Sequence, residues 1–282
     1  MKYLSNAKIN LNLMITGIDD KGYHLLYSVV APIDLYDEIE IELTEDNKIS
    51  LTCDKKEIPT DDRNIITRCI KELKKVRNFS NGLKIHLTKR IPTEAGLGGG
   101  SSNGATVLKG LNEMLNLGLS NEKLVEIGAK VGADIPFFIY NHLSLMEGYG
   151  EKITLIDKKD FNPYIVLAKP DGGINTKEAF YLYDNMIKTK EYTPFILHKI
   201  LSCNNKKEIG ELIKNDLQRI ANIKVPEIEK ISKIMVEFGA EGSCMSGSGS
   251  SVFGLFYEKD KAIKAMQELQ KEYNFVKITK IL

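Results

Sequence analysis

The chain has no apolar run approaching the roughly 18 residues that a membrane-spanning helix requires. Its start, Met1-Lys2-Tyr3-Leu4-Ser5-Asn6-Ala7, meets polar and charged positions at once, unlike an export leader. A soluble chain kept in the cytoplasm is the expectation. Cysteine is scarce: Cys53, Cys69, Cys203 and Cys244 stand far apart, without the paired spacing of a zinc site or the density of a disulfide scaffold. Four reduced, structural thiols follow. Net charge is almost missing, with 39 Lys and Arg against 38 Asp and Glu, so no global field marks nucleic acid or an anionic membrane as the partner. Repeats and low-complexity tracts are also absent, and small ligands remain open as partners.

What is present fits that class. A chain of 282 residues with 43% hydrophobic content can bury a sizeable core and suits two moderate domains. Ile39-Glu40-Ile41-Glu42-Leu43 and Leu83-Lys84-Ile85-His86-Leu87 alternate as half-buried strands do. After the second comes a Gly-rich segment, then Ala105, Leu108, Leu111 and Leu115 at helical spacing. Ser120 reads as the N-cap of a further helix running through Leu124 and Ile127 to Gly132, just before Asp134. The charge run Asp157-Lys158-Lys159-Asp160-Phe161-Asn162-Pro163 is the best seam, dividing the chain into 1–158 and 159–282. Beyond it, Thr176 to Asp184, Pro194 to Ser202, Lys207 to Ala221 and Pro226 to Phe238 read as helices, and Ser251 to Phe256 and Val276 to Ile281 as strands. The expected class is α+β.

Four clusters bear on chemistry. The segment Gly96-Leu97-Gly98-Gly99-Gly100-Ser101-Ser102-Asn103 puts four glycines in five positions directly before a helix. Backbone amides can approach an anion closely there, and the helix N-terminus favours phosphate. Ser101 and Ser102 add hydroxyl donors or a metal-facing oxygen. The P-loop ending Gly-Lys-Ser/Thr is missing, and Ser101 stands where a dinucleotide fingerprint needs its third Gly. In Ala7-Lys8-Ile9-Asn10-Leu11-Asn12-Leu13, alternation places Lys8, Asn10 and Asn12 on one face, which by itself fits the solvated face of a surface strand. Asp134, in Gly132-Ala133-Asp134-Ile135-Pro136-Phe137-Phe138, is an acid among small and apolar residues, fit for a helix cap or a reactive carboxylate. Ser246-Gly247-Ser248-Gly249-Ser250-Ser251 is a second Gly/Ser loop, a linker or a ligand loop.

In this order the clusters resemble the three signature motifs of the GHMP kinases, a resemblance spanning nearly the whole chain. Gly22-Tyr23-His24, the Asp134 segment and Gly148-Tyr149-Gly150-Glu151 are similar to those of the family members that phosphorylate a cytidine diphosphate-linked methylerythritol in the non-mevalonate route to isoprenoid precursors. The resemblance implies a two-domain α+β fold with the active site in the interdomain cleft, and ATP and Mg2+ as cofactors. It implies Asp134 as the base that takes the hydroxyl proton and Lys8 as the cation polarising that region. Gly96, Leu97, Gly98, Gly99, Gly100, Ser101 and Ser102 would bind ATP phosphates, with Asn64 and Lys89 on the adenine side. Tyr23 and Phe180 would sandwich the cytosine ring, His24 would read its edge, and Asn10 and Thr176 would lie nearby. Two positions depart from the family pattern: Lys21 where Asp is usual, and Gly104 where a small alanine is usual. Two other readings stay open. One is a GHMP kinase for mevalonate, a sugar or homoserine, lacking the cytosine site. The other is a non-catalytic nucleotide-binding regulator, which would need neither Lys8 nor Asp134.

Overall fold

The alternation of Ile39 and Ile41 with Glu38, Glu40 and Glu42 sends the two sets of side chains to opposite faces of one strand, and only the apolar set is buried in the computed structural model. Residues 1–157, 161–186 and 206–282 are described. The strands are β1 (Lys2–Asn10), β2 (Met14–Ile18), β3 (His24–Thr44), β4 (Ile49–Cys53), β5 (Gly82–Thr88), β6 (Ser144–Gly148), β7 (Lys152–Leu155), β8 (Tyr164–Lys169), β9 (Gly242–Met245), β10 (Val252–Phe256) and β11 (Phe275–Lys280). The helices are α1 (Ile65–Val76), α2 (Gly99–Met114), α3 (Asn121–Ala129), α4 (Ile135–Tyr140), α5 (Thr176–Met186), α6 (Lys206–Leu212), α7 (Gln218–Lys224), α8 (Glu227–Glu237) and α9 (Lys259–Leu269). The α+β class is as expected.

The chain forms two compact units, each assembled from interleaved stretches. The first unit is Met1–Ala7, Leu35–Thr93 and Gly98–His142. In it the second half of β3 pairs antiparallel with β5, Ile39 facing Leu87 and Ile41 facing Ile85, and β4 adds a parallel strand beyond β5. Ile66, Ile70 and Leu73 recur at helical spacing and bury the inner face of α1, each contributing about 1.5–3 kcal/mol by leaving water. α1 packs on α2, and α4 packs on both α2 and α3. Gly104 lies where α1 meets α2, and an added Cβ would stand 2.8 Å from both Cys69 Sγ and Ile65 Cγ2.

The second unit is Lys8–Asp34, Glu94–Leu97 and Leu143–Leu282. The first half of β3 pairs antiparallel with β2 and β6, and β6 with β7. A separate antiparallel sheet runs β11-β8-β10-β9. Val166, Ala168, Val252 and Phe256 on this sheet meet Ile228, Ile231 and Met235 of α8 and Ala262, Ala265 and Leu269 of α9 in one apolar core.

The single helix expected over Lys207 to Ala221 is instead two, α6 and α7. Between them Asn215 bridges Leu13, and Asp216 donates its amide to Leu13 O (2.9 Å), so these backbone groups serve a neighbouring strand segment instead of a helix. Helix Pro194 to Ser202 and part of the seam at Asp157 to Pro163 lie outside the described residues. Cys53, Cys69 and Cys244 are free thiols, and burial pushes Cys69 up to about 12, leaving it inert; Cys203 lies outside the described residues. Among the described residues, no helix is long and apolar enough to cross a membrane.

Candidate active site

In the first unit, the glycine-rich segment opens α2 as expected. Gly98 is the N-cap at φ 69°, a left-handed conformation that glycine adopts without a Cβ penalty. The amides of the first turn have no acceptor within the helix, and Gly100 and Ser101 remain accessible beside them. The two serines differ. Ser102 is buried and its Oγ accepts from Ser5 Oγ (2.8 Å), so its hydroxyl is bound inward. Ser101 is half-buried, and its Oγ lies 3.7 Å from where a Cβ on Gly132 would stand. This brings the phosphate-type loop to the segment carrying Asp134. Asp134 is half-buried at the start of α4, makes no capping hydrogen bond to that helix, and precedes Pro136 in its first turn.

Behind α2 sits a carboxylate that sequence reading missed. Asp37 is fully buried and accepts from Lys89 Nζ (2.6 Å), Arg90 N (2.7 Å), Ile91 N (2.8 Å) and Asn103 Nδ2 (2.9 Å). Asn103 also donates to Ser5 Oγ (2.9 Å), completing a chain from the start of α2 to β1. Lys89 Nζ makes its other bond to Ile91 O (2.8 Å). Asn64 is likewise engaged at home: its Oδ1 caps α1 by accepting from Ile66 N (2.9 Å) and its Nδ2 donates to Pro59 O (2.6 Å). The sequence signal for Asp37 is slight, since an acid in an alternating strand reads as a solvated position.

In the second unit, Lys8, Asn10 and Asn12 do share a face, but it is not solvated: all three are buried, with exposures of 5%, 5% and 1%. Lys8 Nζ donates to Asn10 Oδ1, and Asn10 Nδ2 donates to Ser28 Oγ (2.8 Å). The two glycine-bearing loops meet beside them. Ser246 Oγ donates to Gly96 O (2.9 Å) and accepts from Asn10 N (3.2 Å). A Cβ on Gly96, itself at φ +70°, would lie 1.9 Å from Ser246 O, so only glycine fits that approach. The Ser246–Ser251 segment is therefore packed structure and not a linker.

The residues expected around a cytosine ring are partly brought together. His24 stacks on Phe180, with centroids 4.6 Å apart and planes at 26°, and its Nε2 bonds Asp184 Oδ1 at 2.8 Å. Tyr23 meets Tyr149 edge-on, with centroids 5.9 Å apart, and is 64% exposed. Phe180 thus faces His24, while Tyr23 meets Tyr149. Thr176 Oγ1 lies 2.9 Å from Ser248 Oγ, joining α5 to the second Gly/Ser loop. The Tyr23 turn is fixed by Asp19, whose carboxylate accepts from Tyr149 Oη, Tyr23 N (2.8 Å) and Lys21 N (3.0 Å). The Tyr149 hydroxyl and the Tyr23 amide hold the Asp19 carboxyl below its ordinary value, and the same bond raises Tyr149. Lys21 enters this turn through its backbone, and the residue is exposed.

Residues 64–142 match the model for the GHMP kinases N terminal domain, and residues 196–274 match that for GHMP kinases C terminal. A 4-diphosphocytidyl-2-C-methyl-D-erythritol kinase from Clostridium beijerinckii is 41% identical across 100% of both chains. One from Citrifermentans bemidjiense is 40% identical across 96% of this chain and 95% of its own. A crystal structure of 4-(cytidine 5'-diphospho)-2C-methyl-D-erythritol kinase superposes with a TM-score of 0.82 at 26% identity, covering 100% of this chain and 99% of the other. Homoserine kinase from Cytophaga hutchinsonii, with a TM-score of 0.79 at 18% identity over 100% of this chain and 94% of its own, shares the fold. This chain therefore belongs to the GHMP kinases and, among them, to the 4-diphosphocytidyl-2-C-methyl-D-erythritol kinase family.

Proposed function

We propose that the chain transfers the γ-phosphoryl group of ATP to the 2-hydroxyl of 4-diphosphocytidyl-2-C-methyl-D-erythritol, as its family membership implies. The observation that carries this reading is the full-length relationship, 41% identity over both whole chains. In the step, the hydroxyl oxygen forms a bond to the γ-phosphorus, the bond to the ADP oxygen breaks, and the hydroxyl proton passes to Asp134. Asp134 suits that task because it is half-buried at the start of α4, in the segment that lies beside Ser101 of the glycine-rich loop. The buried ammonium of Lys8, oriented by Asn10, supplies positive charge for the reacting oxygens.

Gly96 to Ser102 would bind the ATP phosphates through backbone amides at the start of α2, with Ser101 the hydroxyl still available. Lys89 and Asn64 would shape the adenine side through backbone they hold in place, since their side chains serve Asp37 and the α1 cap. Tyr23, His24, Phe180, Thr176 and Asn10 would receive the cytidine substrate, a small-molecule partner handled in the cytoplasm. Kinase magnesium is held by phosphate oxygens, water and one or two protein oxygens. Among the described residues no three His, Cys, Asp or Glu side chains gather as a metal cage, and the Ser101 hydroxyl fits the lesser requirement. When bound, Mg2+ would neutralise phosphate charge.

The test is coupled ADP release with ATP, magnesium and the cytidine substrate, run beside mevalonate, galactose and homoserine. Turnover with the cytidine substrate alone is expected; turnover with another alcohol, or with none, overturns the reading.

A further inference from the structure

We infer that Asn215 is a positioning residue for the phosphoryl transfer, fixing the Ser246–Ser251 loop against the Lys8 ammonium. The inference rests on the role proposed above for Lys8. Asn215 lies in a stretch whose periodicity reads as continuous helix, yet it ends up 9% exposed with its carboxamide fully used. Nδ2 donates to Met245 O and Gly247 O, both at 2.8 Å, and Oδ1 accepts from Leu217 N at 2.9 Å. A carboxamide has two N–H donors and a carbonyl oxygen, and each is placed.

The carbonyl of Gly247 is thereby held where the glycine closes on the site. A Cβ there would stand 3.2 Å from Lys8 Nζ and 3.0 Å from Gly96 O. The adjacent residues hold the chain a few positions beyond the same lysine. Lys214 O accepts from Leu13 N (2.9 Å), Asp216 N donates to Leu13 O (2.9 Å), and Asp216 Oδ2 accepts from Ile15 N (2.7 Å). Lys214 to Asp216 thus ties down the chain that leaves β1 just after Lys8 and Asn10, while Asn215 ties down the loop that covers them. The ammonium lies between Asn10 Oδ1 and Gly247, and both are referred to this one segment. Asn215 touches neither reacting atom; it acts by setting where Lys8 Nζ sits, and displacements near 1 Å in such groups cost about 100-fold in rate.

The test is Asn215→Asp, which keeps the shape but aims a carboxylate at two carbonyl oxygens. A carboxylate cannot donate, whereas its protonated form regains one O–H donor, which burial and the Met245 and Gly247 carbonyls favour against the Leu217 amide and the Lys8 ammonium. With whichever alcohol the wild-type chain accepts, kcat of N215D is expected to fall about 100-fold at about pH 8 with both KM values little changed. The deficit relative to wild type should narrow as pH is lowered towards about 6, at temperatures below the unfolding midpoint. A kcat within about twofold of wild type, or a deficit independent of pH, overturns the inference. Should N215D not fold, Asn215→Ser retains one donor. Its kcat is then expected about tenfold down, and near-wild-type turnover would overturn the proposal. Because the ratio is taken on an accepted alcohol, failure of the substrate assignment and failure of this inference separate.

Discussion

Asp37 and Asp134 are carboxylates of the same compact unit, and the fold treats them oppositely. Asp37 has no exposure and four donors within 2.9 Å, two from backbone amides and two from side chains. Asp134 is half-buried at a helix start to which it gives no cap. A buried charge persists only when its hydrogen-bonding capacity is filled, and Asp37 meets that condition by joining β3, the residues after β5 and the start of α2. A carboxylate that is to take a proton must instead keep an oxygen facing the substrate. Full enclosure among donors marks Asp37 as a scaffold acid, and the half-buried Asp134 is the one to which the proposed function gives the proton.

Asp134→Asn sharpens this contrast most: turnover should fall about 10²- to 10⁴-fold while the unfolding midpoint stays within a few degrees of wild type, as steady-state kinetics and thermal unfolding on one preparation would show. Lys89→Met probes the other pole. It leaves Asp37 buried without its ion-pair partner, and denaturant unfolding should report a loss of about 3–5 kcal/mol, with KM for ATP raised in the folded fraction because the backbone at Ile91 loses its hold. Gly104→Ala is a smaller test of the same scaffold. Helix propensity alone favours alanine by about 1 kcal/mol, but the 2.8 Å approach to Cys69 and Ile65 makes overpacking, at about 1–3 kcal/mol, the larger effect, so the variant should unfold at lower denaturant.

The smallest effect concerns the Tyr23 turn. Because the Asp19 carboxyl is lowered from 3.8, its contribution is complete above that pH and is lost only as pH falls through the lower folded value. Near neutrality the turn should be insensitive to pH. Tyr149→Phe removes the hydroxyl and should raise KM for the cytidine substrate about two- to fivefold without changing kcat; an altered kcat with unchanged KM would contradict this placement.

Much of this arrangement is legible in the sequence because backbone requirements leave residue-level marks. The glycines at 96 and 98 announce positive φ and close approach, Ser120 announces the α3 cap, and the alternation of Ile39 and Ile41 announces β3. What escapes is the burial of polar groups by distant partners. The face bearing Lys8, Asn10 and Asn12 has the pattern of a solvated strand edge, and partners distant in the chain, among them Ser28, Ser246 and the Gly96 loop, make it an interior one. Asn215 and Asp216 sit within a helical period but bond Leu13, Ile15 and the second Gly/Ser loop instead. Asp37 is hidden for the same reason. Gly104 reads as a weak helix former, and its meaning appears only when α1 is packed against it.

The most direct test of the contrast is to measure kcat per folded molecule for Asp134→Asn and Asp37→Asn side by side at one temperature. The account predicts that D134N is folded and nearly inactive, whereas D37N is strongly destabilised yet turns over in its folded fraction. A D134N enzyme with near-wild-type kcat, or a D37N enzyme as stable as wild type, would contradict it.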